Sequence, residues 1–417
     1  MMYIISFLLV IVFFLANAMK NNYLYYLIVG LYLVSFFLQF LVGRSCPYDS
    51  VKTVFNILFI YLNMALVVLP WSNLKMSSVS INVSFINNYK RWLYPILYLN
   101  YIVSLFVGVV VFLFMPDISN FKANDGYLEL YETIPMFSIF FRIAYVIQIF
   151  GFLAIPLYFY YTSVGEKKKA RKAMIMSLST LVSAFAFYSR ALIFSFSISY
   201  VAYYLLMKKT LPIAFNKKFE HIIKRVGIVM IIVFIVLTFI RFSAMDYYGD
   251  RIPSNSIIKN PVVYSLVDYA SMSHEYGIYC LENYNPENCL NGDYMFMGVN
   301  MILNFFKISH WDSKEFLEHA NKAFSGNYGQ FNGYVATSVC DIGYIWTIVF
   351  GLFYYAYIKS IVKRRSISLK NAALLLLFLQ LPLNAIFYNY LIGMTFPLLF
   401  IIGISILSGN KELKWIR

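Results

Sequence analysis

Eleven apolar runs, at 2–18, 23–43, 51–70, 93–115, 137–163, 173–189, 191–207, 226–243, 331–358, 371–389 and 391–408, constrain this chain more than anything else in it. A helical run of about 17–25 apolar residues covers the hydrocarbon core of a bilayer. Lipid offers backbone amides no partner, so each run must satisfy its own hydrogen bonds as a helix. A transmembrane barrel would instead show short alternating segments. The expectation is an all-α polytopic membrane protein of about 11 transmembrane helices, with 10–12 as the range set by the runs within 1–70 and 371–408. Composition agrees, since 61% of the 417 residues are hydrophobic and 13% charged. The first run has no basic leader and no small-residue cleavage site, and is read as a retained helix.

Charge orients these helices. Fourteen of the 19 acidic residues fall within 116–136 and 244–330, whereas five basic residues follow Glu166 by Lys172, six lie within Lys208–Arg225 and five within Lys359–Lys370. Cytoplasmic loops collect Lys and Arg, so the three basic gaps face the cytoplasm and the acid-rich loops face outward. The amino terminus is then outside and Lys411–Arg417 inside. The net charge of +15 does not indicate nucleic acid: 23 of the 34 basic residues lie in short cytoplasmic gaps, where they meet membrane lipids.

Three regions follow: amino-terminal membrane helices 1–243, a large outer loop 244–330 and carboxy-terminal membrane helices 331–417. An 87-residue loop exceeds what a helix connection needs, and long loops usually carry function. It holds Cys280 and Cys289, with eight residues between them, so a disulfide joining them is a candidate in an oxidising compartment. Cys46 and Cys340 are read as packing residues. No Walker loop, glycine-rich dinucleotide turn, internal repeat or metal-like Cys/His cluster is present.

Arginines interrupt or terminate the apolar runs on the expected outer side. Arg190 sits at the apex of a tight helical hairpin in Phe187-Tyr-Ser-Arg-Ala-Leu-Ile-Phe194, Arg241 ends the following helix, and Arg142 lies just inside the fifth run. Arg251 is close by in the outer loop. Charge within a span costs several kcal/mol unless it snorkels or finds an anion. A planar guanidinium grips phosphate oxygens bidentately and keeps its charge, which suits a lipid-linked pyrophosphate at headgroup depth. Arg142 has a plainer alternative in snorkelling, and Arg241 in pairing with Asp246.

A second cluster closes the loop: His310-Trp-Asp312, Glu315, Glu318, His319 and Lys322, then Gly326 to Tyr334 and a helix carrying Asp341-Ile-Gly343. A hydroxyl acceptor needs a general base, for which His319 or Asp246 are candidates. Asp312, Glu315 and Glu318 read equally well as the solvated face of a surface helix. Asp341 could form an ion pair with Arg190 or Arg241.

The hairpin Ser189-Arg190-Ala, the large outer loop and the segment Asn332-Gly-Tyr-Val-Ala-Thr-Ser-Val-Cys-Asp-Ile-Gly-Tyr344 together resemble the oligosaccharide repeat-unit polymerases of bacterial O-antigen and capsule assembly, often called Wzy. The likeness covers 173–360, and Ile342 departs from the Phe common in the family. The resemblance implies a GT-C-like glycosyltransferase in the bacterial inner membrane, with its active site facing the periplasm. Its substrate would be an undecaprenyl-pyrophosphate-linked oligosaccharide and its product a lipopolysaccharide O-antigen. Neither a cofactor nor a metal is implied, and a chain-length regulator protein is an implied partner. Arg190 and Arg241 would hold the pyrophosphate, with Arg142 and Arg251 nearby and Asn332, Tyr334 and Asp341 in support. Related O-antigen ligases carry a histidine before the Asn of the late-loop motif, but Phe331 stands there. The rival readings are a lipid-linked oligosaccharide flippase or an O-antigen ligase.

Overall fold

The structure is a computed structural model that describes residues 2–18, 22–42, 51–80, 82–114, 130, 134, 136–243, 252–310, 312–328, 331–387, 389 and 391–409. In chain order the first helices are α1 (Met2–Ala16), α2 (Tyr23–Val42), α3 (Val51–Val68), α4 (Val83–Phe114), α5 (Phe137–Ile147), α6 (Ala154–Ser163), α7 (Lys167–Ser177) and α8 (Ser179–Ala186). There follow α9 (Arg190–Met207), α10 (Ile213–Ser243), α11 (Pro261–Ser271), α12 (Ser273–Glu282), α13 (Met297–Phe305) and α14 (Ser313–Ala323). The last are α15 (Gly333–Val362), α16 (Leu369–Asn384) and α17 (Thr395–Ser408).

The protein is a helical membrane protein. Among the described residues, six stretches are long and apolar enough to cross a bilayer: Tyr23–Val42, Val51–Asn73, Val83–Phe114, Phe137–Ser163, Ala191–Thr210 and Gly333–Val362. Three shorter apolar helices, Phe7–Ala16, Leu369–Asn384 and Thr395–Ser408, accompany them.

The chain forms two compact units. One contains 1–75, 246–364 and 377–395, and the other 76–245, 365–376 and 396–417. In the first, the loop helices pack directly on amino-terminal helices. Val42 of α2 meets Tyr264 and Val267 of α11, and the Ser35 hydroxyl donates to the Ala270 carbonyl at 2.6 Å. Helix α3 lies along α15, where Tyr344 donates to Asn56 Oδ1 at 2.8 Å and the Trp71 indole donates to the Tyr354 hydroxyl at 3.1 Å. Gly351 permits this approach: a β-carbon there would stand 2.9 Å from Leu66. Helix α15 is broken at Gly343, whose φ of 78° and ψ of 171° lie where side-chain-bearing residues rarely go.

In the second unit the run expected at 173–189 divides at Leu178 into α7 and α8, and the run 137–163 is interrupted by a 3₁₀ turn, Gln148–Leu153. Both breaks meet at Gly151, where a β-carbon would lie 2.6 Å from the Ser177 carbonyl. Thr180 donates its hydroxyl hydrogen to the Gln148 carbonyl at 2.7 Å, satisfying an acceptor left outside regular α-helix. A short parallel pairing, β1 (Ser78–Ser80) with β2 (Ser366–Ser368), completes this unit's framework.

Candidate functional site

The first unit contains a narrow cleft of about 40 Å³, walled by α2, α3, α12, the start of α15 and residues 385–386. Tyr32, Tyr61, His274, Asn332 and Tyr334 bring polar atoms to an otherwise apolar lining.

His274 enters from α12 and is partly buried. The rings of Phe7 and Phe36 stand edge-on to its imidazole, at centroid distances of 6.3 and 5.9 Å. Burial in these surroundings penalises the charged form and lowers its pKa from 6.5 to about 4, so the ring is neutral near pH 7. Ser35 Oγ lies 3.2 Å from His274 Nε2. Because Ser35 commits its own hydrogen to the Ala270 carbonyl, its oxygen accepts from Nε2–H. That tautomer makes Nδ1 the basic nitrogen.

The opposite wall is the turn into α15. Gly333, with φ of 73°, and Tyr334 donate their backbone N–H groups to the Phe387 and Ala385 carbonyls at 2.9 and 2.8 Å. Asn332 is buried and donates through its side chain to the Asn327 carbonyl at 3.0 Å. Tyr334 is 1% exposed, and among the described residues its hydroxyl has no hydrogen-bond partner. An unsatisfied buried hydroxyl costs about 1–3 kcal/mol unless water or a ligand meets it. The cleft it lines has room for water.

Asp341 has a different task. Its carboxylate accepts from the Tyr294 and Met295 backbone N–H groups at 3.0 and 2.8 Å, and its carbonyl accepts from Gly292 N–H at 2.9 Å. It therefore anchors the loop before α13.

Several expected site residues lie elsewhere. His319 is partly exposed on α14 and His310 is exposed. Asp312 is the N-cap of α14, accepting from Lys314 and Glu315 N–H at 2.7 and 3.0 Å, and Glu315 and Glu318 are solvated. Asp246 and Arg251 lie outside the described residues. The hairpin expected around Arg190 is present in the second unit: α8 ends at Ala186, Ser189 N-caps α9, and Arg190 is the first residue of α9. Phe141 of α5 packs on Phe187 with centroids 5.1 Å apart, which sets the helix of Arg142 against the hairpin apex. Arg142 is exposed. The side chains of Arg190 and Arg241 are outside the described residues.

The expected bridge between Cys280 and Cys289 is not made; both are buried free thiols, as is Cys340. The reason is local. The Cys289 Sγ lies 3.3 Å from the Asp341 carbonyl, while Cys280 points to Asn332 Oδ1 and the Phe324 carbonyl, each at 3.5 Å.

His274 is the residue that sequence reasoning missed. It is one of only four histidines, and Ser271, Ser273, Gly277 and Cys280 around it form a small-residue helix face able to approach another backbone closely. Comparison with known protein families, characterised proteins and solved structures finds no match for this chain.

Proposed function

We propose that this chain is an O-antigen polymerase: a GT-C-like glycosyltransferase of the bacterial inner membrane, with about 11 spans, joining undecaprenyl-pyrophosphate-linked repeat units at the periplasmic face. The single observation that carries the reading is His274, a neutral imidazole in a narrow cleft beside Tyr334. Joining two glycans requires removal of a proton from an acceptor hydroxyl as the pyrophosphate leaves. A neutral imidazole can take that proton, and a negatively charged donor bound nearby raises its affinity for it.

Two further features support the same chemistry. The cleft wall is built from Asn332–Tyr334, the start of the segment on which the family resemblance rests. Arg190 begins an 18-residue helix, where backbone N–H groups and a guanidinium both favour an anion. Arg142 belongs to the same hairpin neighbourhood, and Arg241 and Arg251 complete the proposed pyrophosphate contacts. In this reading His274 replaces His319 and Asp246 as base, and Asp341 is a positioning residue.

The test is a glycan ladder from a deletion strain carrying either wild-type chain or His274→Ala at matched membrane levels. Long chains with wild type and a single capped repeat with the variant are expected. Wild-type chain lengths with His274→Ala would remove His274 from the mechanism. Arg190→Ala is expected to give the same single-repeat product.

One observation favours a second reading, a lipid-linked oligosaccharide transporter. The meeting of two interrupted helices at Gly151 resembles the broken helices on which transporters bind cargo. Loss of a flippase leaves no repeat unit on the cell surface, whereas loss of a polymerase leaves one.

A further inference from the structure

Helices α12 and α15 are brought together at a sequence of matched positions. A β-carbon on Gly277 would lie 2.7 Å from the Asn332 carbonyl and 3.8 Å from the Ala336 side chain, so the two backbones nearly touch there. Further along, the rings of Tyr284 and Tyr344 are 5.4 Å apart. Both positions advance in the same chain direction. Cys280 lies one helical turn after Gly277, before α12 ends at Glu282, and Cys340 lies one turn after Ala336, before the break at Gly343. The two thiols thus occupy matched positions on the packed helices, and each is among the other's electrostatic neighbours. Cys289 packs on the same turn of α15, but its sulfur is directed at the Asp341 carbonyl.

We propose that Cys280 and Cys340 are a disulfide-forming pair, and that the bridge fastens α12, which carries His274, to the first half of α15, which carries Tyr334. Both sides of the cleft would then be covalently joined behind the site. The bond forms by exchange with an oxidised dithiol of the outer compartment. One cysteine thiolate attacks a sulfur of that disulfide, giving a mixed disulfide and a free thiol. The second cysteine then displaces the remaining oxidant sulfur. The protein loses two protons and two electrons, and the oxidant becomes a dithiol. Both cysteines are fully buried, so the bridge forms while the helices are docking and is then shielded from reductant. The proposal rests on the periplasmic placement of 244–330 only for its supply of oxidant.

The experiment has two arms. In the first, cells making the full chain are lysed in denaturant with N-ethylmaleimide, and cysteine peptides are mapped without reduction. A peptide joining Cys280 to Cys340 is expected, retained in Cys289→Ser and lost in Cys340→Ser. In the second, purified protein is reduced in denaturant, returned to detergent in the presence of oxidised glutathione and mapped in the same way. Alkylated thiols from cells together with a Cys280–Cys340 link in the purified protein would uphold the pair and overturn the periplasmic placement. A link through Cys289, or alkylation of Cys280 and Cys340 in both arms, would overturn the pair itself.

Discussion

In the first unit, an ionisable ring, His274, stands edge-on to the stacked rings of Phe7 and Phe36 and is kept neutral by its surroundings. Among the described residues of the second, the buried polar groups are ones that carry no charge. Asn100 Oδ1 accepts from Ser104 and Ser183 at 3.2 and 3.1 Å, the two serine hydroxyls lie 2.8 Å apart, and Ser177 bonds to Tyr200 at 2.8 Å. Cations there remain at the surface: Arg142 is exposed, and Lys172 rests 4.8 Å over the Tyr94 ring. Hydroxyls and amides can satisfy one another at little cost, so such a network holds helices together. Perturbed titratable groups cluster at functional sites, and the proposed base is such a group in the first unit.

The largest expected effect would break this contrast outright. His274→Ala should reduce polymer formation by at least about 100-fold, the range general-base catalysis supplies. Asn100→Ala should reduce protein yield while leaving the chain-length pattern of surviving protein unchanged. Glycan ladders normalised to membrane protein distinguish the two. An equal loss of polymer per molecule in both variants would show that the chemistry is not confined to the first unit.

Titration sharpens the comparison. The folded pKa of His274 is lowered to about 4 from 6.5, so between those values the unfolded chain binds more protons. The contribution of the neutral ring is complete above about pH 6.5 and is lost as pH falls through about 4. At about 1.4 kcal/mol per pKa unit, the ceiling is about 3 kcal/mol, and partial exposure at the cleft reduces it. Unfolding monitored in detergent should show this loss in wild type, and His274→Gln should flatten it.

Close packing gives effects of about 1–3 kcal/mol, the range for forcing extra atoms into a filled interior. Gly277→Val should distort the cleft and lower activity together with stability, because its side chain would strike the Asn332 carbonyl. Gly151→Val, at the junction of broken helices, should lower stability alone. Thermal unfolding alongside the ladder assay separates the pair.

Asp341→Ala leaves two backbone N–H groups without their acceptor, which should cost about 1–3 kcal/mol and loosen the loop before α13. Amide exchange at Tyr294 and Met295 would record it. Smallest is Glu220→Gln. The Lys208 partner at 2.8 Å holds the Glu220 carboxyl below its ordinary pKa, but the carboxylate is 44% exposed. Its loss should cost below about 1 kcal/mol, measurable as a small shift in melting temperature.

Length and hydropathy were enough to establish a helical membrane protein, because a bilayer imposes its thickness and its lack of hydrogen-bond partners on any chain that enters it. The hairpin at Ser189-Arg190 was also legible, since a serine cap followed by an apolar run marks a local helix start. The interruptions at Gln148–Leu153 and Leu178 were not, because each depends on the other through Gly151 and Thr180. Nor was the disposition of the cysteines, where nine intervening steps of chain mattered less than the register of α12 on α15. His274 became conspicuous only when Phe7, Phe36 and Tyr334 converged from distant segments. Sequence by itself determined which stretches belong in lipid, a consequence of transfer energies that each short segment carries alone. Tertiary structure decided which polar group loses its water, because desolvation comes from neighbours contributed by other helices.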